Sequence, residues 1–167
     1  MASSPGLTTL DGLRERGAFV VAGLSRRFND SNKHEIPQLW DRFAPHLPLT
    51  GQTGSETYGV EWDAGWDGDP GGFNYMAAVA VAPDVTVPSH LERKEIPAQR
   101  YLVFRLTLDD RTFHEQMDEA VPEIWMKRVP NSGYKRSRGP DFEFYPANFV
   151  PPREGAALEF WVPVETA

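Results

Sequence analysis

Apolar and polar positions change period several times along the chain, and each change marks an element. "AFVVAGLSRRF" (18–28) starts β-branched and apolar, then alternates, as a strand leaving a core does. In "SNKHEIPQLWDRFAPHL" (31–47), Ile36, Leu39, Trp40, Phe43 and Leu47 share one helical face, and Pro37 suits the first turn. "TYGVEWD" (57–63) alternates as a strand, with Tyr58, Val60 and Trp62 on one face and Gly59 and Glu61 on the other. The turn-rich "AGWDGDPGG" leads into another strand, "FNYMAAVAVA" (73–82). Residues 1–16 are polar and weakly patterned, which predicts a leading segment with at most a short turn of helix.

The second half repeats the order. A Pro-broken linker carries a short strand around Leu91 to Ile96, and "RYLVFRLTL" (100–108) is a strand. Phe113, Met117, Val121, Ile124 and Trp125 fall at helical spacing over 111–125, where Pro122 should kink or restart the helix. "MKRVPNSGYKRSRGP" reads as loop, and "DFEFYP" (141–146) and "LEFWVPV" (158–164) as strands. The pattern is strand–helix–strand–strand, twice, over about 17–82 and 100–165. It predicts a leading segment, 1–15, and one α+β domain, 16–167. One antiparallel sheet carries both helices on one face. The two halves meet at a central cleft, a favoured place for ligands.

The chain has 167 residues and no cysteine, so it has neither disulfides nor thiolate chemistry. The early apolar run, Ala18 to Leu24, is interrupted by Gly23 and too short to span a membrane, and no signal-peptide layout precedes it. The expectation is a soluble cytoplasmic protein that does not act on membranes. A net charge of −7 argues against nucleic-acid binding. The local exception, Lys135, Arg136 and Arg138, reads as a solvated loop before it reads as a phosphate site.

Glu143 is the unexpected residue. It sits between Phe142 and Phe144, and strand alternation points it with Asp141 and Tyr145. The pattern alone leaves two readings, a solvent-facing acid over a buried Phe pair or a carboxylate in a cleft. A buried, unpaired acid costs several kcal/mol or gives up its charge, so a chain that keeps one uses it. Tyr58, Trp62, Phe73, Tyr75, Tyr145 and Trp161 all lie on predicted strands. Some are core, and others line the cleft, because Tyr and Trp suit apolar surfaces with a polar tip. Trp40 and Trp125 go to helix–sheet packing, and Trp66 is a lid or a loop anchor. Glu61 forms a carboxylate pair with Glu143 if both enter the groove. "DAGWDGDPGG" (63–72) lacks the alternation and the closing Glu of a calcium loop, and the four histidines have no zinc-ligand spacing, so no metal site is expected.

The ordered set "FVVAGLSRRF", "IPQLWDRF", "YGVEWD", "FNYMAAVAV", "LERKEIPAQRYLVFR", "PDFEFYP" and "LEFWVPV" resembles the gyrase-inhibitor-like (GyrI-like) family over about residues 16–165. That family includes the effector-binding domain of AraC-type and MerR-type multidrug regulators. The resemblance implies two strand–helix–strand–strand modules around a cleft for amphipathic, often cationic, aromatic molecules. It also implies a carboxylate at the cleft base in the penultimate strand, a position that Glu143 matches. No DNA-binding helix-turn-helix flanks the domain, so the expectation is a stand-alone binding module that needs no cofactor and contacts no nucleic acid through this domain. Its ligand-binding residues would be Glu143, Tyr145, Tyr58, Trp62, Phe73, Tyr75 and Trp161. Some stand-alone relatives hydrolyse cyclopropane-bearing genotoxins, so the alternative is a hydrolase of strained rings, with Glu143 and Glu61 as catalytic acids. A second alternative is a protein-interaction module acting on gyrase or a regulator.

Overall fold

A computed structural model describes residues 6–64 and 71–166. The two repeats are present: β2 (Phe19–Phe28), α1 (Ile36–Phe43), β3 (Thr57–Trp62) and β4 (Phe73–Val81), then β6 (Gln99–Thr107), α2 (Phe113–Glu123), β8 (Asp141–Tyr145) and β9 (Ala157–Thr166). Each module adds its strands in the same order, because its last strand pairs with both of the others. The modules join where β3 pairs antiparallel with β8. The expected α+β sheet therefore forms, and β8 lies at the junction of its halves.

Two further strands cross between the modules. β1 (Leu7–Arg16) precedes the first module but pairs with β6 of the second. β5 (Glu92–Ile96) precedes the second but pairs with β2 of the first. The sheet order is thus β1-β6-β9-β8-β3-β4-β2-β5, with the short β7 (Tyr134–Arg136) also on β9. β1 replaces the expected leading segment. Asp11 and Gly12, both at positive φ, make a bulge between Leu10 and Leu13, where the pairing register shifts. β7 likewise replaces part of an expected loop.

Only Gly17 and Ala18 separate β1 from β2, and only Pro97 and Ala98 separate β5 from β6. Two-residue links reach little more than about 10 Å. Strands at opposite ends of the sheet are therefore neighbours, and the sheet curls. Its inner face closes into a core of Val21, Tyr58, Val60, Met76, Tyr101, Val103, Phe142 and Trp161. Phe142 is the hub, with ring centroids of Phe19, Tyr58, Tyr101 and Trp161 all 5.4–5.6 Å away.

Both helices cover the outer face, one towards each end. α1 buries Leu39 and Phe43 against Phe28, Tyr75, Ala77 and Val79 of β2 and β4. α2 buries Ala120, and Ile124 follows it, against Leu102, Phe104, Leu158 and Phe160 of β6 and β9. A capping box starts α2: Glu115 N–H donates to Thr112 Oγ1, and Thr112 N–H donates to Glu115 Oε2. Pro122 lacks the N–H the helix needs. The helix does not break there but widens into a π-turn over Ile124–Arg128. No helix among the described residues is long and apolar enough to cross a membrane.

Phe142→Ala tests the closed inner core. Removing a fully packed ring should cost about 3–5 kcal/mol. A urea unfolding midpoint that hardly moves would contradict the curl.

Candidate functional site

β3 and β8 lie between the territories of the two helices. Their outward side chains, Glu61 from β3 and Asp141, Glu143 and Tyr145 from β8, form a polar strip under the gap. A cavity of about 610 Å³ opens above it. Its floor includes Glu61, Phe73, Tyr75, Glu143 and Tyr145. Ile36, Pro37 and Trp40 wall one side, and Phe113, Met117, Val121 and Trp125 the other.

Glu143 is half-buried at the centre. Its Oε1 accepts from Tyr75 Oη at 2.8 Å and from Tyr145 Oη at 2.7 Å. Tyr75 Oη in turn accepts from Trp40 Nε1 at 3.1 Å, which ties α1 to the acid. Gly59, directly opposite Glu143, makes room for this contact. A Cβ on Gly59 would collide with Tyr75 Oη and lie 2.5 Å from Glu143 Oε1. Desolvation raises the Glu143 pKa, and the two tyrosine hydrogen bonds oppose that rise. Burial and the Glu143 charge push both tyrosines well above their usual range, so they remain donors.

A second acidic group adjoins it. Glu61 sits opposite Asp141 in the β3–β8 register. Both oxygens of Asp141 are buried without a hydrogen-bond donor. Burial, then the neighbouring Asp141 and Glu143 charges, raise Glu61 well above the carboxylate range. Burial likewise carries Asp141 to about 7 against the opposing pull of Arg136. Arg136 Nη2 stands 3.8 Å from Asp141 Oδ2, and the guanidinium lies over Trp125, 4.0 Å from the ring centre. Among the described residues, no group of three or more His, Asp or Glu is arranged to hold a metal ion.

The structure thus gathers four of the seven expected ligand-binding residues, Phe73, Tyr75, Glu143 and Tyr145, on one cavity floor, with Glu61 beside them. It places the other three elsewhere. Tyr58 and Trp62 pack with the inner face, where Trp62 carries Lys94 over its ring at 4.0 Å. The Trp161 ring stacks on Phe142 in the same core, 5.4 Å apart and 15° from parallel. Strand alternation in "TYGVEW" already separates Glu61 from Tyr58 and Trp62. Trp40 and Trp125 pack under the helices as expected, and they also wall the cavity. Sequence reading missed Phe113, whose helical periodicity signals only core. Trp66 lies outside the described residues, as does most of the 63–72 stretch.

Raised acid pKa values in the fold make stability depend on pH. The folded chain holds protons that the unfolded chain releases, so stability falls as pH rises through the window between them. For Asp141 that window runs from its ordinary 3.8 to about 7. Thermal midpoints should therefore decline from pH 4 to pH 7, and Asp141→Asn should flatten that decline. An unchanged slope in the variant would locate the pH dependence elsewhere.

The model of the GyrI-like small molecule binding domain matches residues 13–165. The transcriptional regulator BrlR of Pseudomonas aeruginosa is 29% identical over 154 residues, covering 90% of this chain and 53% of the regulator. The chain thus spans about half the length of that curated relative. Among solved structures, SAV2435 bound to tetraphenylphosphonium superimposes with a TM-score of 0.72 at 16% identity, covering 95% of this chain and 94% of that one. An integron cassette protein of Vibrio cholerae gives 0.65 at 20% identity, covering 95% and 99%. Two modules meeting at β3 and β8, a cavity over that junction and a match spanning nearly the whole sequence lead to one conclusion: the chain belongs to the GyrI-like small-molecule-binding domain family.

Proposed function

We propose that this domain binds amphipathic aromatic cations in the cavity between its helices, with Glu143 as the charged anchor. One observation carries the reading: a carboxylate at the base of an aromatic cavity, oriented by two tyrosine hydroxyls and, among the described residues, in no ion pair with a cation. Water is displaced from such a site when a flat ligand enters, and the attraction between charges then strengthens. Phe73, Tyr75, Tyr145, Trp40 and Trp125 offer ring faces to the same ligand, each contributing about 0.5–2 kcal/mol. The tetraphenylphosphonium bound to a protein of the same fold is a cation clad in aromatic rings, which supports the ligand class. The likeness to a transcriptional regulator supports a sensing role, and sequestration would use the same cavity. The acidic balance of the chain supports a domain that itself leaves nucleic acid alone.

Geometry also favours a second reading. Glu61 and Glu143 share the cavity floor with a tyrosine donor, the set a hydrolase needs to activate water and protonate a leaving group. Opening a strained ring in a planar substrate fits this shape. Mass spectrometry of a cyclopropanoid incubated in excess separates the two, since only an enzyme yields the water adduct.

Titration with a lipophilic cationic dye tests the anchor. Glu143→Gln should weaken binding by about ten- to a hundredfold, the scale of one charged contact of roughly 1.5–3 kcal/mol. In the wild type, a cation needs the ionised carboxylate, so affinity should fall as pH drops through the raised Glu143 titration. A neutral dye of the same shape should show no such fall. Equal affinity of both proteins for the cation would sink the anchor.

A further inference from the structure

Asp141 is 5% exposed, and neither of its oxygens receives a hydrogen bond. The cation that faces it, Arg136, stays at 3.8 Å, an ion-pair distance rather than a hydrogen bond. The Arg136 side chain is 43% exposed and belongs to the three-residue strand β7. Its guanidinium instead lies on the Trp125 ring, and both residues line the cavity. An aromatic face beside a buried carboxylate repeats the chemistry found at Glu143, here with a cation already between the two. Glu61 borders both acids.

We infer that Trp125, Asp141 and Glu61 form a second cation subsite, held by Arg136 as a built-in competitor, and that the cavity takes planar aromatic dications whose second charge displaces that arginine. This inference rests on the reading of Glu143 as the first anchor. Asp141 and Glu143 are two residues apart on one strand, which separates them by roughly 7 Å. That spacing suits two charges at opposite ends of a bipyridinium. Arg136 makes the subsite selective. A monocation leaves it in place, whereas a dication must exchange with it.

A matched pair of probes tests this: methyl viologen, with two charges, and N-methyl-4-phenylpyridinium, of the same shape with one. Binding is followed by tryptophan fluorescence in the full chain. Arg136→Gln should tighten methyl viologen by about tenfold or more, because an opposite charge at ion-pair distance is unmasked. The phenylpyridinium should change by less than about threefold, as for a site that keeps the same single anchor. Arg136→Lys retains a competing charge and should stay near the wild type for both probes. Adding Asp141→Asn to Arg136→Gln should abolish the gain. Equal gains for both probes, no gain, or no measurable methyl viologen binding to Arg136→Gln would each overturn the subsite. Glu143→Gln separates this from the first reading. If it weakens both probes alike, the anchor stands whatever Arg136 does. If it weakens neither while the charge-selective gain persists, the anchor fails and the Asp141 subsite remains.

Discussion

Two-residue links decide the shape of this molecule. Because Gly17-Ala18 and Pro97-Ala98 each join strands from opposite ends of the sheet, the sheet must curl until those ends are neighbours. Curling turns one face inward, where Phe142 and its four ring contacts make a core that needs no helix. The outer face is then wider than its cover. Eight strands about 4.8 Å apart span roughly 34 Å. Two helices about 10 Å across cover roughly 20 Å of it. The helices sit towards the ends, on β2–β4 and β6–β9, so the uncovered strip is the β3–β8 junction. The cavity follows from the topology.

What lines that strip is a matter of residue choice. A junction built for stability alone would carry Val or Ile on β3 and β8. This chain carries Glu61, Asp141, Glu143 and Tyr145, with Gly59 opposite Glu143. The glycine is informative because a side chain there would break the Tyr75–Glu143 hydrogen bond. The tyrosines are informative because they orient the carboxylate without neutralising it. Together they keep an acid directed into an aromatic cavity.

Much of this was legible in the sequence. Alternation in "DFEFYP" separates Glu143 from its phenylalanines, and the doubled strand–helix–strand–strand order places β8 at a junction. Alternation did not tell which strand face the helices cover, so Tyr58, Trp62 and Trp161 joined the expected site although the curl turns them inward. The sequence of β1 misled for a different reason. Asp-Gly within a polar stretch ordinarily signals a hairpin turn, whereas here it makes a bulge inside one strand. The pairing of β1 with β6 spans about ninety residues of sequence, and no local pattern encodes such a contact. β7 is three residues long and mostly polar, below what periodicity resolves. Phe113 and Trp125 read as core because helical spacing marks burial, and a cavity wall is buried too.

The acids of the junction also couple ligand to proton. Glu61, Asp141 and Glu143 are all raised, chiefly by burial, so the folded chain holds protons at the β3–β8 junction that these residues would otherwise have lost. A cation placed among them favours the charged carboxylates and drives those protons out. The coupling is reciprocal: what a ligand does to the acids, the acids' protonation does to the ligand. Arg136 already exerts part of this effect, since its charge is the one that pulls Asp141 down. The same buried acids that lower the stability of the fold near neutrality thus set the charge of the junction, and a positive charge placed among them would relieve the repulsion between them.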